Sequence, residues 1–242
     1  MTAAGRHLLI INPNTTVAMT EKIGEAARAA ADQGTRITAI NPVHGPAAIQ
    51  GADDGAAALP GLFSLVDEVL NGAGQYDALI IACFDDTGLW TLKEKLNMPV
   101  IGIGEAAYHT AALLASRFSV VTTLSVSVPV LEENLDRNGL RPRCGRVRAS
   151  EVPVLELEEA SASAIDKIRV EIEAALHEDQ AGAIALGCAG MADLAHALSA
   201  EFGIPVVDGV AAAVRLAEVA LDIARRGVRE PGTRDTKLDF GT

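Results

Sequence analysis

The chain reads as one structural unit written twice, and that duplication limits its fold more than any other feature. "DALIIACFDDTG" (77–88) parallels "GAIALGCAGM" (182–191), and "MPVIGIGEAAYHTA" (98–111) parallels "IPVVDGVAAAVRLA" (204–217). "LLIINPNTT" (8–16) parallels "FSVVTTLSV" (118–126) more loosely. Cys83 stands sixteen residues before Pro99, and Cys188 stands seventeen before Pro205. A repeat of about a hundred residues is far longer than a solenoid period, so each copy is a whole subdomain.

Within each copy, short apolar runs alternate with Ala-rich helical stretches. The first copy predicts strands over 7–13, 35–42, 76–83 and 98–104, with helices over 15–34, 56–71, 87–96 and 105–116. The second predicts strands over 118–123, 145–157 (an extended stretch) and 181–188, and a strand entering a final helix over 204–225. Its other helices fall at 128–140, 160–179 and 192–203. Such alternation with short connections marks an α/β fold with parallel sheets covered by helices. The expected architecture is two pseudo-symmetric parallel-sheet lobes with helices on both faces and a site in the cleft between them. The first lobe takes 1–104 plus 211–226 and the second 105–210, and 227–242 forms a polar, loosely ordered tail.

In open α/β sheets, ligands bind beyond the carboxyl ends of the strands. Cys83 and Cys188 both lie at such an end, so the repeat brings two thiols to opposite walls of one pocket. A disulfide needs an oxidising setting and would leave the third cysteine, Cys144, unpaired. Cys144 itself, in basic "RPRCGRVR", reads as exposed and as structural or incidental. Zinc asks for about four ligands; Asp85 and Asp86 flank one thiol, Ala189 and Gly190 the other, and no histidine is within reach, so no metal is expected. An acid–base pair fits best. A thiol has a reference pKa of about 8.5, which bare N–H groups at a helix start lower. One thiolate takes a proton from a carbon and the opposite thiol returns one to the other face, which inverts a stereocentre. The backbone after each cysteine, with Asn12, Thr122 and Thr123, is a candidate donor set for the developing charge.

Other residues have competing readings. Asp85 and Asp86 either orient the first cysteine or cap the next helix. Asn12 and Asn14 are cap candidates too, with Asn12 favoured to face the cleft. Gln50 and Gly51, in the glycine-rich loop 44–55, are candidates to touch substrate beneath a lid. His44 reads as loop structure and His109 as a packing histidine.

Six motifs in the right order resemble the hydantoin racemases of the aspartate/glutamate racemase superfamily, of which allantoin racemases are close relatives. They are "IINPNTT" (10–16), "IACFDDTGL" (81–89), "GIGEAA" (102–107), "SVPVLEEN" (127–134), "LGCAGM" (186–191) and "PVVDGVAAAV" (205–214). The resemblance runs from about residue 8 to 225. It implies a cofactor-independent racemase acting at C5 of a 5-substituted hydantoin, or of allantoin, with Cys83 and Cys188 as the two bases. By position, Asn12, Thr122, Thr123 and the backbone from Gly187 through Ala189 to Gly190 would hold the ring. Phe84 and Asp85, beside Cys83, and Gln50 complete the implied substrate contacts. A homo-oligomer is implied as well. Many relatives carry proline where this chain has Thr87, which leaves the turn after Cys83 less stiff.

The formal charge of −12 with scattered Lys and Arg argues against nucleic-acid and anionic-membrane partners. A small molecule is the expected partner. Three cysteines, no signal-like opening and no apolar run long enough to span a bilayer point to the cytoplasm. Two α/β lobes around a cleft also suit a non-catalytic binding protein, but ligand binding alone does not call for thiols at symmetric positions. A free amino-acid substrate would need charged contacts that uncharged "LGCAGM" does not offer.

Overall fold

The computed structural model describes residues 5–72, 74–159 and 161–227. The first half runs β1 (Arg6–Ile11), α1 (Val17–Ala30), β2 (Thr35–Ile40), α2 (Ala52–Asn71), β3 (Ala78–Ile81), α3 (Leu89–Lys95), β4 (Val100–Gly102) and α4 (Ile103–Leu114). The second half repeats the order as β5 (Phe118–Thr122), α5 (Val128–Arg137), β6 (Cys144–Ala149), α6 (Ala162–Glu178), β7 (Ala183–Gly187), α7 (Ala195–Phe202), β8 (Val206–Val207) and α8 (Gly209–Gly227). Two four-stranded sheets result, ordered β2-β1-β3-β4 and β6-β5-β7-β8, and every strand pair is parallel. The internal repeat is thus a repeat of sheet topology, and the α/β class with two equivalent sheets is observed.

Parallel strands covered on both faces are apolar throughout, with the two faces told apart by alternation. Leu8 and Ile10 of β1 and Ala78 and Ile80 of β3 point to one side. Leu9, Ile11, Leu79 and Ile81 point to the other, against Leu62 and Val66 of α2 and Leu89 of α3. In the second sheet Phe118, Val120, Ala183 and Ala185 join the same core as Leu8 and Ile10. Val121, Ile184 and Leu186 instead face Ile168 and Ile172 of α6. One continuous core therefore lies between the sheets. It is filled by Ala106, Tyr108 and Ala111 of α4 and Val210, Val214 and Ala217 of α8. Helix α4 leaves β4 to pack against β7, and α8 leaves β8 to pack against α1, β1 and β3. Each crossing helix ties the half it follows to the other half.

A buried polar cluster fixes the second sheet. The Arg148 guanidinium of β6 donates to Asp179 through Nε (2.8 Å) and Nη2 (2.9 Å), and Ser119 Oγ of β5 donates to the same carboxylate at 2.9 Å. Burial pushes the Asp179 carboxyl up, and those hydrogen bonds outweigh it, leaving the group below its ordinary value.

Several local expectations are corrected. Helix α2 begins at Ala52, and Asp53 and Asp54 occupy its first turn, where acidic side chains suit the positive end of the helix dipole. The extended stretch 145–157 is strand only to Ala149; Val154–Glu159 is a 3-10 turn. The expected helix 192–203 is a 3-10 turn at Ala189–Leu194 followed by α7. Cys144 is buried rather than exposed, because it opens β6 with its side chain in the shared core. His109 is exposed rather than packed, since α4 turns its alanines and Tyr108 inward. Residues 228–242, most of the expected tail, lie outside the described residues. Among the described residues, no helix is long and apolar enough to cross a membrane.

Candidate active site

Both cysteines stand just past the carboxyl ends of equivalent strands, Cys83 after β3 and Cys188 after β7. The turns that follow start alike. The carbonyl of Cys83 accepts from the N–H of Asp86 (3.0 Å), and that of Cys188 accepts from the N–H of Met191 (3.1 Å). The two residues line one cavity of about 30 Å³. From the first half come Asn14, Met19, Ile49, Ala82, Phe84 and Asp85; from the second come Thr123, Ser127, Val154, Gly187 and Ala189. The free space there is that of a water or two.

The Cys83 side is built on Asp86. This residue adopts a left-handed φ of 52° and is buried. Its carboxylate accepts from the N–H groups of Gly104 (3.0 Å) and Glu105 (2.8 Å) at the start of α4. Burial, then the neighbouring Glu105, raises its pKa well above the ordinary carboxylate value. Glycine is required opposite: a Cβ at Gly102 or Gly104 would collide with the Asp86 carboxylate. The "GIGEAA" stretch is therefore a seat for the turn that carries Cys83. Phe84 packs edge-on against Tyr108 of α4 at 5.3 Å between centroids.

Gly187 serves the other side. A Cβ there would lie 2.7 Å from Thr122 Cα and Cβ, so only glycine lets β5 and β7 approach this closely. Thr122 Oγ1 donates to the Gly187 carbonyl at 3.0 Å, which turns this side chain toward the sheet.

Among the sequence candidates, Phe84, Asp85, Thr123, Gly187 and Ala189 share the cavity with the cysteines. Gly190 lies beside it, an added Cβ being 3.7 Å from Cys188 Sγ. Asn12 lies one layer behind, where its amide donates to Asn14 Oδ1 (2.9 Å) and Thr20 Oγ1 (3.0 Å); Asn14 is the asparagine that lines the cavity. Gln50 Oε1 accepts from the Val154 N–H at 3.1 Å, joining the loop beside Ile49 to the segment from the other half. Asn14, Met19, Ile49, Ser127 and Val154 were not singled out from sequence as substrate contacts. Their one available signal was position, just after strands or in the glycine-rich loop.

The electrostatics of Cys83 differ from expectation. Burial, followed by the charge of Asp85, pushes this thiol well above its ordinary value. The hydrogen bonds from Thr87 and from the Asp85 backbone pull the other way without winning. The lowering expected from a helix start fails because the turn 84–88 separates Cys83 from α3. Cys83 at rest is a neutral thiol, the proton-donating form. Asp85 is itself pushed up to about 7 by burial, against a hydrogen bond from the Gly51 backbone. Among the described residues its Oδ2 has no hydrogen-bond partner, and no group of three or more His, Cys, Asp or Glu is placed to hold a metal ion.

Comparison with known proteins agrees with this geometry. The sequence profile of the Asp/Glu/Hydantoin racemase family matches residues 8–217. The hydantoin racemase of Rhizobium meliloti is 44% identical over 89% of this chain and 88% of that one. The hydantoin racemase of Pseudomonas sp. (strain NS671) is 41% identical, covering 90% and 86%. Among solved structures, the allantoin racemase from Klebsiella pneumoniae superposes with a TM-score of 0.86 at 42% identity, covering 91% of this chain and 89% of that one. With its duplicated sheet, its paired cysteines and this profile, the chain belongs to the Asp/Glu/Hydantoin racemase family.

Proposed function

We propose that the protein racemises 5-substituted hydantoins at C5, using Cys83 and Cys188 as the two bases and no cofactor. The observation that carries this reading is that two cysteines at repeat-equivalent strand ends line one cavity. A thiolate on one wall takes the C5 proton. The C–H electron pair passes into the ring as an enolate, with charge on the adjacent carbonyl oxygen. The thiol on the opposite wall then delivers its proton to the other face of C5. The two sulfurs end with their protonation states exchanged, ready for the opposite enantiomer. Cys83, which burial holds in the thiol form, is suited to the donor's part at the start of a turnover.

The enolate oxygen needs preorganised donors. The backbone from Gly187 through Ala189 to Gly190, the hydroxyl of Thr123 and the amide of Asn14 surround the place where it forms, with Asn12 and Thr122 holding them from behind. Phe84 gives the ring an apolar wall, and Asp85 and Gln50 complete the contacts. Circular dichroism of an enantiopure hydantoin tests the reading. Its signal decays with the wild-type protein, and Cys83→Ala and Cys188→Ala each slow the decay by about 10²–10⁴-fold, the usual worth of a positioned acid or base. Near-wild-type rates in either variant exclude the two-base mechanism.

A second reading takes allantoin as the substrate. It is favoured by the likeness to the allantoin racemase from Klebsiella pneumoniae. Racemisation rates for allantoin and for alkyl- and aryl-hydantoins, measured side by side, decide between them.

A further inference from the structure

We propose that Thr87 is a positioning residue for Cys83: its hydroxyl holds the sulfur in place and donates a hydrogen bond to it when the sulfur is charged. The proposal rests on the two-cysteine reading above. Thr87 Oγ1 lies 3.5 Å from Cys83 Sγ, a contact suited to a large, diffuse acceptor. The geometry is held from both sides. Asp86 N–H bonds the Cys83 carbonyl and Leu89 N–H bonds the Asp86 carbonyl, each at 3.0 Å. Thr87 is 8% exposed, so water competes little for its hydroxyl. A proline at this position would stiffen the turn but offer the sulfur no donor.

The surroundings show why a donor is needed. Asp85 and Asp86 on the same turn, Tyr108 from α4 and Cys188 across the cavity all face the sulfur or its turn. Asp54 from α2 stands near Asp85, and Glu105 from α4 stands near Asp86. None of these groups carries a positive charge, and Lys93 is paired with Glu105 at 2.7 Å. Two groups oppose this bias against a thiolate, the Thr87 hydroxyl and the Asp85 backbone N–H. Of the two, only Thr87 is a side chain, so only its contribution can be removed by substitution without disturbing the chain path.

Thr87→Val keeps the branched shape and deletes the hydroxyl, and Thr87→Ser restores it. The pH dependence of iodoacetamide alkylation is followed separately at Cys83 and Cys188 by peptide mass spectrometry, with racemisation kinetics run on the same proteins. In Thr87→Val, the Cys83 profile moves to higher pH by about one unit, kcat near neutral pH falls about tenfold and KM stays within about twofold. The Cys188 profile stays in place, and Thr87→Ser returns both the Cys83 profile and kcat toward wild type. A Cys83 profile in Thr87→Val that coincides with wild type overturns the proposal. So do equal displacements at both cysteines, which signal a general disturbance. Should the wild type racemise neither hydantoins nor allantoin while the Cys83 profile still moves alone, the racemase reading falls and the Thr87–Cys83 bond stands.

Discussion

Gly187→Ala is the sharpest test of how the main chain sets the site. Thr122 and Gly187 are directly paired across the β5–β7 ladder. The new methyl would sit 2.7 Å from Thr122 Cα and Cβ and 2.9 Å from its Oγ1. Ordinary van der Waals contact begins near 3.4 Å, so the strand ends must part by about 0.7 Å, and the crowded atoms include backbone that cannot swing away. Overpacking of this kind costs about 1–3 kcal/mol. The displaced Thr122 Oγ1–Gly187 carbonyl bond adds about 1 kcal/mol. For a chain of this size, a loss of about 2–4 kcal/mol lowers the melting temperature by roughly 5–15 °C. Cys188 is the next residue, so its sulfur moves with the strand end, and a misplacement approaching 1 Å costs about 10²-fold in rate. Differential scanning calorimetry reads the first effect and circular dichroism of hydantoin racemisation the second. A melting temperature within a degree of wild type, with a rate within about twofold, would refute the claim that glycine is needed at this approach.

Three further outcomes are expected. Asp85→Asn removes the charge that lies behind burial in raising Cys83, so alkylation of Cys83 at a fixed pH above 7 becomes faster; an unchanged rate would show that this charge does not reach the sulfur. Asp85 also has a stability signature. Its folded-state pKa, about 7, exceeds the ordinary value of 3.8, so between about pH 4 and 7 the folded state holds a proton the unfolded state has lost. Stability therefore falls as pH rises through that window, by at most about 4 kcal/mol, and the fall is missing in urea titrations of Asp85→Asn. Finally, Asp179→Ala takes from the buried Arg148 its two hydrogen bonds to that carboxylate and leaves it Glu178 at 2.7 Å, costing about 2–3 kcal/mol in urea unfolding; a loss below about 1 kcal/mol would mean that the remaining carboxylates satisfy the guanidinium alone. The Asp179 carboxylate, held below its ordinary value, contributes stability that is present above the unfolded-state pKa and lost as pH falls through the lower, folded-state one.

The fold was legible where burial on both faces wrote continuous apolar runs, as in "HLLIINP" and "AGAIALGC". The repeat supplied what periodicity could not, namely which strand ends face each other. The pairing of Cys83 with Cys188 in one cavity was readable from the repeat, and the family resemblance points to the same two residues. What escaped was set by turn geometry and by the other half of the chain. Asn12 and Asn14 are two residues apart around Pro13, and nothing in composition says which side chain the turn sends into the cavity. Cys144 follows three basic or proline-rich residues, yet strand pairing puts it in the core. Ile49 and Val154 meet the cysteines only because two distant loops close over them. The elevated thiol of Cys83 escaped likewise, because its cause is enclosure by segments remote in sequence. For Asp86 the sequence leaves two readings open, orienting Cys83 or capping the next helix; it caps α4, eighteen residues on, and through that contact seats the turn that carries Cys83.

The core that runs between the sheets limits how this molecule can open. Helices α4 and α8 each bind the half they leave to the half they join, so the sheets cannot swing apart like jaws without exposing Tyr108, Val214 and their neighbours to water. Any opening for a ligand is left to the rims, where the hydrogen bond between Gln50 and Val154 joins one loop from each side. Opening the rims leaves the strand ends where they are. The spacing of the two strand ends is therefore set by the framework, and under the proposed racemisation the entry of a ligand and the alignment of the two sulfurs fall to separate parts of the chain.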